Sequence, residues 1–158
     1  MLVNHSFDPV YDSESLVLIL GTMPSIKSRE FNFYYAHPRN RFWKTLASVY
    51  SENIGDDIDS KKKFLHRHHI ALFDVLASCD INASSDSSIK NPVVNDFTQI
   101  LSNSKIKTVF TTGCVAFKLY QKYCYPNLLP SPSPANCKKN IDQILVKKYS
   151  EIRKITQE

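Results

Sequence analysis

The sequence lacks several features that mark common protein classes. Its four cysteines, Cys79, Cys114, Cys124 and Cys137, form no CxxC pair, and their spacing does not indicate a zinc site or an iron–sulfur cluster. The first residues have neither a basic start nor an apolar core, so we expect no signal peptide, reduced thiols and a cytoplasmic location. No apolar run approaches the length of a membrane span, so we expect no membrane contact.

Glycine is scarce, and the positions of the few glycines are informative. The chain has three, Gly21, Gly55 and Gly113. Two of them directly follow apolar runs that are typical of strands. At Gly21 and Gly113 the backbone must therefore turn sharply, or approach a ligand closely, where a strand ends.

A large excess of one charge is also absent. The 158 residues carry 20 Lys and Arg against 15 Asp and Glu, for a net charge of +5 and a pI near 9.0. This balance favours an anionic partner such as nucleic acid, although it is weak evidence by itself. Hydrophobic residues make up 42% and charged residues 22% of the chain. These fractions are ordinary for a globular protein, so we expect residues 1–158 to form a single domain.

The sequence does contain a regular alternation of apolar runs and amphipathic segments. Short apolar runs between turn residues are typical of buried strands, and they predict strands at 16–20, 70–75, 106–112 and, more briefly, 125–129. Helices are predicted at about 38–50, at 60–69 with Ser60 as N-cap, after Asn91-Pro92, after Gly113, and from about Lys138. Residues 1–15 and 77–91 are predicted to be irregular. The alternation predicts an α/β fold, a three-layer α/β/α sandwich with a central, mostly parallel four-stranded sheet.

Four segments are expected to meet at the carboxyl ends of the strands, where open α/β sheets bind ligands. They are GTMPS at 21–25, YYAHPRNRFW at 34–43, Asp74, and LPSPSPAN at 129–136. The second segment is too rich in polar and charged residues to be core alone. The prolines of the last segment forbid a helix and make that loop rigid.

These segments resemble the motifs of the uracil-DNA glycosylase superfamily. The resemblance is greatest to the hypoxanthine-DNA (deoxyinosine) glycosylase family, which has a GS/T-x-P-S opening, a YYAHPRN-x-FW block and an LPS-x-SPAN loop. Here these read GTMPS, YYAHPRNRFW and LPSPSPAN. The block also resembles the FAHP-x-NRFWK segment of the mismatch-specific uracil glycosylases. The match extends from about Leu16 into the C-terminal helix, and ten contiguous positions of unusual composition make it specific.

The resemblance implies a monofunctional glycosylase that flips a deaminated base, preferably hypoxanthine, out of DNA and lets water displace it at the sugar C1′. Such a reaction needs a group that places the water and donors that take up charge on the leaving base. In other branches an Asp or Asn at the third position of the first motif places the water, but Met23 stands here, and a thioether is at best a weak acceptor. The resemblance assigns the catalytic role to Asn40, for which the alternative is a helix N-cap.

The resemblance also implies how the base is held. Tyr35 matches the aromatic residue on which a flipped base stacks, with ordinary packing as its alternative. Ser25 matches a position where strict uracil enzymes have a tyrosine, and the smaller side chain leaves room for a two-ring base. Asp74 matches an asparagine that pairs with the Watson–Crick edge. An ionised Asp offers only acceptors and could take the N1–H of hypoxanthine, while the alternative is a loop-capping carboxylate. Gly21 would lend a backbone N–H to the pocket, and Thr22 belongs to the same substrate-binding loop.

The proline-rich loop and several basic residues are expected to complete the site. Ser131 matches the histidine or asparagine that opens the second motif in other branches, and it cannot supply the same leaving-group stabilisation. Ser133 and Asn136 would hold a phosphate and approach the gap left by the flipped base, and their alternative is turn chemistry. The basic residues expected to contact DNA are Lys27, Arg29, Arg39 and Arg41.

We therefore expect a monomer whose partner is DNA containing a deaminated base, with no metal and no organic cofactor. Two alternatives stay open. The first is a uracil or G:U mismatch glycosylase. The second is a catalytically silent domain that binds DNA or a free nucleobase, and it is kept open by Met23 and by the short segment between Gly113 and Pro130. That segment compresses the fourth strand into a few residues around 127–129.

Overall fold

The described part of the chain forms two β-sheets and six α-helices. The computed structural model describes residues 1–121 and 127–157. Within these ranges the strands are β1 (Leu2–Asn4), β2 (Val17–Gly21), β3 (Ile70–Asp74), β4 (Leu76–Asp80), β5 (Lys90–Val94), β6 (Thr108–Thr112) and β7 (Asn127–Leu129). The helices are α1 (Ile26–Phe31), α2 (Phe42–Tyr50), α3 (Ile58–Arg67), α4 (Thr98–Ser102), α5 (Cys114–Tyr120) and α6 (Ile141–Thr156).

The central sheet has four parallel strands in the order β3-β2-β6-β7. Every residue of β2 is buried, as expected for a strand that is covered on both faces. The register places Gly21 beside Asp74, so the ends of β2 and β3 lie together. The short edge strand β7 pairs with β6 at Asn127–Leu129, which confirms the prediction for those residues; residues 125 and 126 lie outside the described ranges.

The alternation of side chains along the strands separates two hydrophobic cores. On one face, Val17 and Ile19 of β2 pack with helices α2, α3 and α6. On the other face, Leu18 and Leu20 pack with α4, α5 and β4. This arrangement confirms the three-layer α/β/α prediction, with one difference: a small sheet forms part of the second outer layer.

That small sheet is antiparallel, in the order β1-β4-β5, and it corrects three predictions. Residues 1–15 contain β1, residues 77–91 contain most of β4 and the start of β5, and Asn91-Pro92 lies in a strand instead of starting a helix. The helix predicted to follow Asn91-Pro92 is the short helix α4, which begins at Thr98. Strand β5 is at the edge of its sheet and mostly exposed, so it shows no apolar run, and an edge strand tolerates proline.

Several helix boundaries also differ from the prediction. Helix α2 begins at Phe42 instead of about residue 38, because the chain before it forms a turn in which the Asn40 N–H bonds the His37 carbonyl and the Arg41 N–H bonds the Pro132 carbonyl. Helix α3 is capped by Asp57, whose side chain accepts the Ser60 N–H, so Ser60 is not the N-cap. The predicted loop at 129–136 contains no helix, as its prolines require.

Two further observations concern the expectations from composition. No helix in the described ranges is both long and apolar enough to cross a membrane. Cys79 is buried, and Cys114 and Cys137 are exposed, all three as free thiols. Cys124, predicted to lie on the helix after Gly113, is outside the described ranges.

Candidate functional site

An open cavity of about 940 Å³ lies at the carboxyl ends of β2, β3 and β6. It brings together the residues assigned to the site from the sequence except the three arginines Arg29, Arg39 and Arg41: Gly21, Thr22, Ser25, Lys27, Tyr35, Asn40, Asp74, Ser131, Ser133 and Asn136 all line it. Its size falls within the range of small-molecule sites. The strand ends therefore form the common site that the four sequence segments predict.

Gly21 lies at the end of β2, close to Asp74 and Tyr35. A Cβ atom at this position would be 2.5 Å from Asp74 Oδ1 and 3.1 Å from the Tyr35 hydroxyl. The Gly21 carbonyl accepts the Val75 N–H at 2.8 Å. Glycine is required here because no side chain fits between the ends of β2 and β3.

We expect Gly21→Ala to lower the free energy of unfolding by about 1–3 kcal/mol, because the new methyl group overpacks the contact with Asp74. Urea denaturation measures the effect. In an Asp74→Ala background the clash with the carboxylate is gone, so the same substitution should cost much less. An equal cost in both backgrounds would contradict this account.

Tyr35 has one face of its ring against the core. The ring stacks on Phe42 with a centroid distance of 3.9 Å and an angle of 15°, and its hydroxyl lies 3.3 Å from Thr112 Oγ1. Burial, followed by the charge of Asp74, raises the pKa of Tyr35 well above its usual value, so the phenol stays protonated. The ring is packed, as the alternative predicts, and it also lines the cavity; a rigid aromatic wall of this kind suits stacking.

Asp74 is held by a residue that sequence reasoning missed. His5 Nε2 lies 2.8 Å from Asp74 Oδ2, and only 5% and 6% of the two side chains are exposed. The imidazole ring packs between Phe7 and Phe73, with centroid distances of 4.7 and 5.1 Å. The carboxylate thus has a histidine partner, in place of the loop-capping contact that was its alternative. No local pattern marks His5, because the two residues are 69 positions apart.

We expect His5→Phe to lower the free energy of unfolding by about 3 kcal/mol, because it keeps an aromatic ring but leaves a buried carboxylate without its partner. A matched control exists in the exposed pair His66–Asp12, which has the same 2.8 Å separation. His66→Phe should cost less than about 1 kcal/mol. Similar losses for both variants in urea denaturation would contradict the importance of the buried pair.

Asn40 lines the cavity and also orders the start of α2. Its Oδ1 accepts the Phe42 N–H at 2.9 Å, a local contact of the Asx-turn type. Arg41, not Asn40, occupies the formal N-cap position. The capping alternative therefore describes a real contact, and that contact orients an amide group at the wall of the cavity.

The proline-rich loop is anchored to the rest of the protein from two sides. Arg41 Nη1 donates to the carbonyls of Ser133 and Asn136 at 2.9 and 3.1 Å. The Tyr149 hydroxyl of α6 donates to the Pro130 carbonyl at 2.8 Å. Arg41 is thus committed to the loop instead of to DNA, and it connects the YYAHPRN block to the second motif.

Within the loop, the side chains make the turn contacts that were the alternative to DNA binding. Ser131 Oγ accepts the Ser133 N–H at 3.2 Å, and Ser133 Oγ accepts the Ala135 N–H at 3.1 Å. Asn136 Nδ2 donates to the Ser131 carbonyl at 2.9 Å. These bonds shape the loop that forms one wall of the cavity.

The remaining predicted residues lie around the opening. Ser25 Oγ accepts the Ser28 N–H and so caps α1. Lys27 is exposed and lies 3.0 Å from Glu30, and Arg39 is exposed beyond the cavity-lining residues. Arg29 donates to the Pro24 carbonyl at 2.9 Å and therefore supports the GTMPS turn.

A second carboxylate in the cavity was also missed. Asp86 Oδ2 accepts a hydrogen bond from Thr22 Oγ1 at 3.1 Å, across a separation of 64 residues. Asp86 is an exposed residue, and its carboxyl group is nevertheless partly desolvated by the surrounding protein. This desolvation is the largest effect and raises the pKa of Asp86; the Thr22 bond opposes it, and the charge of Asp74 adds to it.

Two histidines of the KKKFLHRHH segment, His66 and His68, lie beside carboxylates. His66 lies 2.8 Å from Asp12, and His68 lies 2.7 Å from Glu52. Among residues 1–121 and 127–157, no group of three or more His, Cys, Asp or Glu side chains could hold a metal ion. These histidines belong to the end of α3, away from the cavity.

Comparisons with known proteins agree with the motifs. The Uracil DNA glycosylase superfamily profile matches residues 9–158. Two curated proteins named Hypoxanthine DNA glycosylase are 35% identical: one from Methanosarcina acetivorans over 97 residues, 61% of each chain, and one from Methanosarcina barkeri over 96 residues, 58% of each chain. The chain thus spans about 60% of the length of the curated relatives it matches.

The fold has a solved counterpart. A solution NMR structure of a protein from Methanosarcina acetivorans, described as a candidate uracil DNA glycosylase, is 30% identical and superposes with a TM-score of 0.78. The match covers 97% of this chain and 99% of that one. With the profile match over nearly the whole length, these findings establish that the chain belongs to the uracil DNA glycosylase superfamily.

Proposed function

We propose that this protein is a monofunctional DNA glycosylase that excises deaminated bases, with hypoxanthine preferred. The observation that carries the proposal is the cavity at the strand ends. There an aromatic ring (Tyr35), a buried carboxylate (Asp74) and an amide (Asn40) line the same space. Its two curated relatives named Hypoxanthine DNA glycosylase support the choice of base.

The dimensions and chemistry of the cavity suit a flipped purine. Its volume of about 940 Å³ exceeds what a single ring needs, and Ser25 leaves space where a larger side chain would close it. In the proposed complex the base stacks on the Tyr35 ring, and an Asp74 carboxylate oxygen accepts N1–H. Adenine has no hydrogen on N1, so an acceptor-only group at this position favours the deaminated base over its parent.

The charge distribution suits a base inside and a phosphate backbone outside. The acidic groups Asp74 and Asp86 line the cavity, where the entering base is neutral. Lys27 is exposed and lines the cavity, and Arg39 is exposed two residues after the cavity-lining His37, so both can meet phosphates outside the cavity. The proline-rich loop, held in shape by Arg41, would contact the strand next to the vacated position.

In the proposed reaction Asn40 orients the attacking water. The reaction displaces the base at C1′ and leaves an abasic site, and we propose that other repair enzymes cleave the strand. A monomeric state and a cytoplasmic location stay predictions.

A base-release assay tests this function. Oligonucleotide duplexes carrying one inosine, uracil or xanthine, and an unmodified duplex, are incubated with excess protein, and abasic sites are revealed by alkali. We expect release from the inosine strand to be the fastest. Faster release of uracil would favour the first alternative, and salt-dependent binding with no release from any strand would favour a silent DNA-binding domain.

A further inference from the structure

The site as assigned from the sequence leaves no group free to take a proton from water. The Asn40 amide can orient a water molecule, but it is not a base, and Met23 offers only a thioether. Asp74 is bound to His5 and assigned to the edge of the base. Hydrolysis at C1′ nevertheless generates a proton that must leave the water.

The other titratable side chains of the cavity are unsuited to this task. His37 Nδ1 accepts the Arg39 N–H at 3.1 Å, so the neutral ring carries its hydrogen on Nε2, which cannot then accept a proton. Burial raises the pKa of Tyr35 and keeps its phenol protonated. Burial has the same effect on Tyr34, and the ammonium of Lys27 has no acceptor.

One carboxylate remains. Among the described residues that line the cavity, the acids are Asp74 and Asp86. Asp86 opens the 3₁₀ turn Asp86–Ser88, which lies in the connection from β4 to β5 and so depends on the small antiparallel sheet. Its Oδ2 accepts the Thr22 hydroxyl at 3.1 Å. Thr22 directly precedes Met23, the position at which other branches carry an acid or amide.

We propose that Asp86 is the general base of this enzyme, a carboxylate that the β4–β5 connection supplies in place of the one missing at Met23. The proposal rests on the glycosylase function above. The water oxygen bonds to C1′ while the bond from C1′ to the base nitrogen breaks and its electron pair leaves with the base. The water proton passes to Asp86. The released base then takes a proton from solvent, and Asp86 returns its own proton to solvent.

The surroundings of Asp86 support this role. Its place in the cavity and its bond to Thr22 hold the carboxylate at the site, and partial desolvation is the main cause that raises its pKa, which makes a carboxylate a better proton acceptor. Because the Asp86 carboxyl group must be ionised to accept a proton, activity falls as the pH falls through this raised pKa. Among the described residues, the charged and titratable groups that interact with Asp86 or share its cavity are Asp74, Tyr34, Tyr35, Cys79, Lys27 and His37.

The test is the pH dependence of single-turnover base release from inosine-containing duplex DNA, between about pH 4.5 and 8. We expect Asp86→Asn to lower the rate about 100-fold or more, with little change in DNA binding, and to lose the acidic limb of the wild-type profile. Asp80→Asn is the matched control: Asp80 lies on β4, accepts from Asn91 Nδ2 at 2.9 Å, and does not line the cavity. It should retain the wild-type rate and profile.

A second variant separates the carboxylate from its positioning. Thr22→Val removes the hydroxyl that holds Asp86 Oδ2, so we expect a smaller loss of rate with the acidic limb retained. Thermal denaturation checks folding, and Asp86→Asn should melt no lower than wild type, since it removes a poorly solvated charge. If the wild-type protein releases hypoxanthine, an unchanged rate or an unchanged acidic limb in Asp86→Asn would overturn this inference and leave the proposed function standing. No release by the wild-type protein would overturn both the inference and the proposed function.

Discussion

Asn40→Ala is expected to reduce hypoxanthine release roughly 100-fold or more, the size of effect seen when one polar group that acts on the transition state is removed. The amide lines the cavity, and its Oδ1 is already bonded to the Phe42 N–H at 2.9 Å. Loss of that bond alone should lower the free energy of unfolding by about 1 kcal/mol. Such a change leaves a folded protein with its pocket present, so the two effects can be measured separately.

Matched variants separate the catalytic role of Asn40 from its structural role at the start of α2. Asn40→Ser keeps a side-chain oxygen that can accept the Phe42 N–H but removes the amide, so we expect near-normal stability and lost activity. Asn103→Ala removes an exposed asparagine outside the cavity, whose Nδ2 bonds the Gln99 carbonyl at 2.9 Å, and should keep full activity. Single-turnover release and urea denaturation are the measurements. A serine variant with the wild-type rate would show that Asn40 only shapes the start of α2.

Asp74→Asn is expected to reduce hypoxanthine release roughly tenfold. A carboxylate accepts N1–H in a charge-assisted hydrogen bond, and the neutral amide that replaces it forms a weaker one, a difference of about 1.4 kcal/mol. Asn is isosteric with Asp, so the packing around the position should persist. The substitution tests the charge at this position more than the packing.

The same variant should also weaken discrimination against adenine. The asparagine amide can donate to adenine N1, which an ionised Asp74 would repel. Free hypoxanthine and free adenine, used as competing inhibitors of base release, should therefore differ less in the variant than in wild type. Asp96→Asn is the control, since Asp96 caps the Thr98 N–H outside the cavity. An unchanged rate and an unchanged inhibitor ratio would mean that Asp74 serves only its bond to His5.

The correct parts of the sequence prediction share one physical origin. Strand β2 is buried on every residue and appears as an uninterrupted apolar run, so its place at the centre of a parallel sheet is visible locally. The errors occur where the local sequence carries no signal of the structure. Strand β5 is exposed and contains Pro92, and its pairing with β4 depends on residues ten or more positions away. In α6 the buried positions include Tyr149, whereas the neighbouring Lys148 is exposed.

The sequence by itself determined the parallel sheet and the motif segments that meet at its carboxyl end, because apolar periodicity and rare residue strings are local properties of the chain. Only the tertiary structure decided which groups join them there. His5 reaches Asp74 over 69 positions and Asp86 reaches Thr22 over 64, while Arg41 turns to the carbonyls of the proline-rich loop. Such pairings depend on how separate elements pack, and a single histidine, aspartate or arginine carries no local signal of its partner.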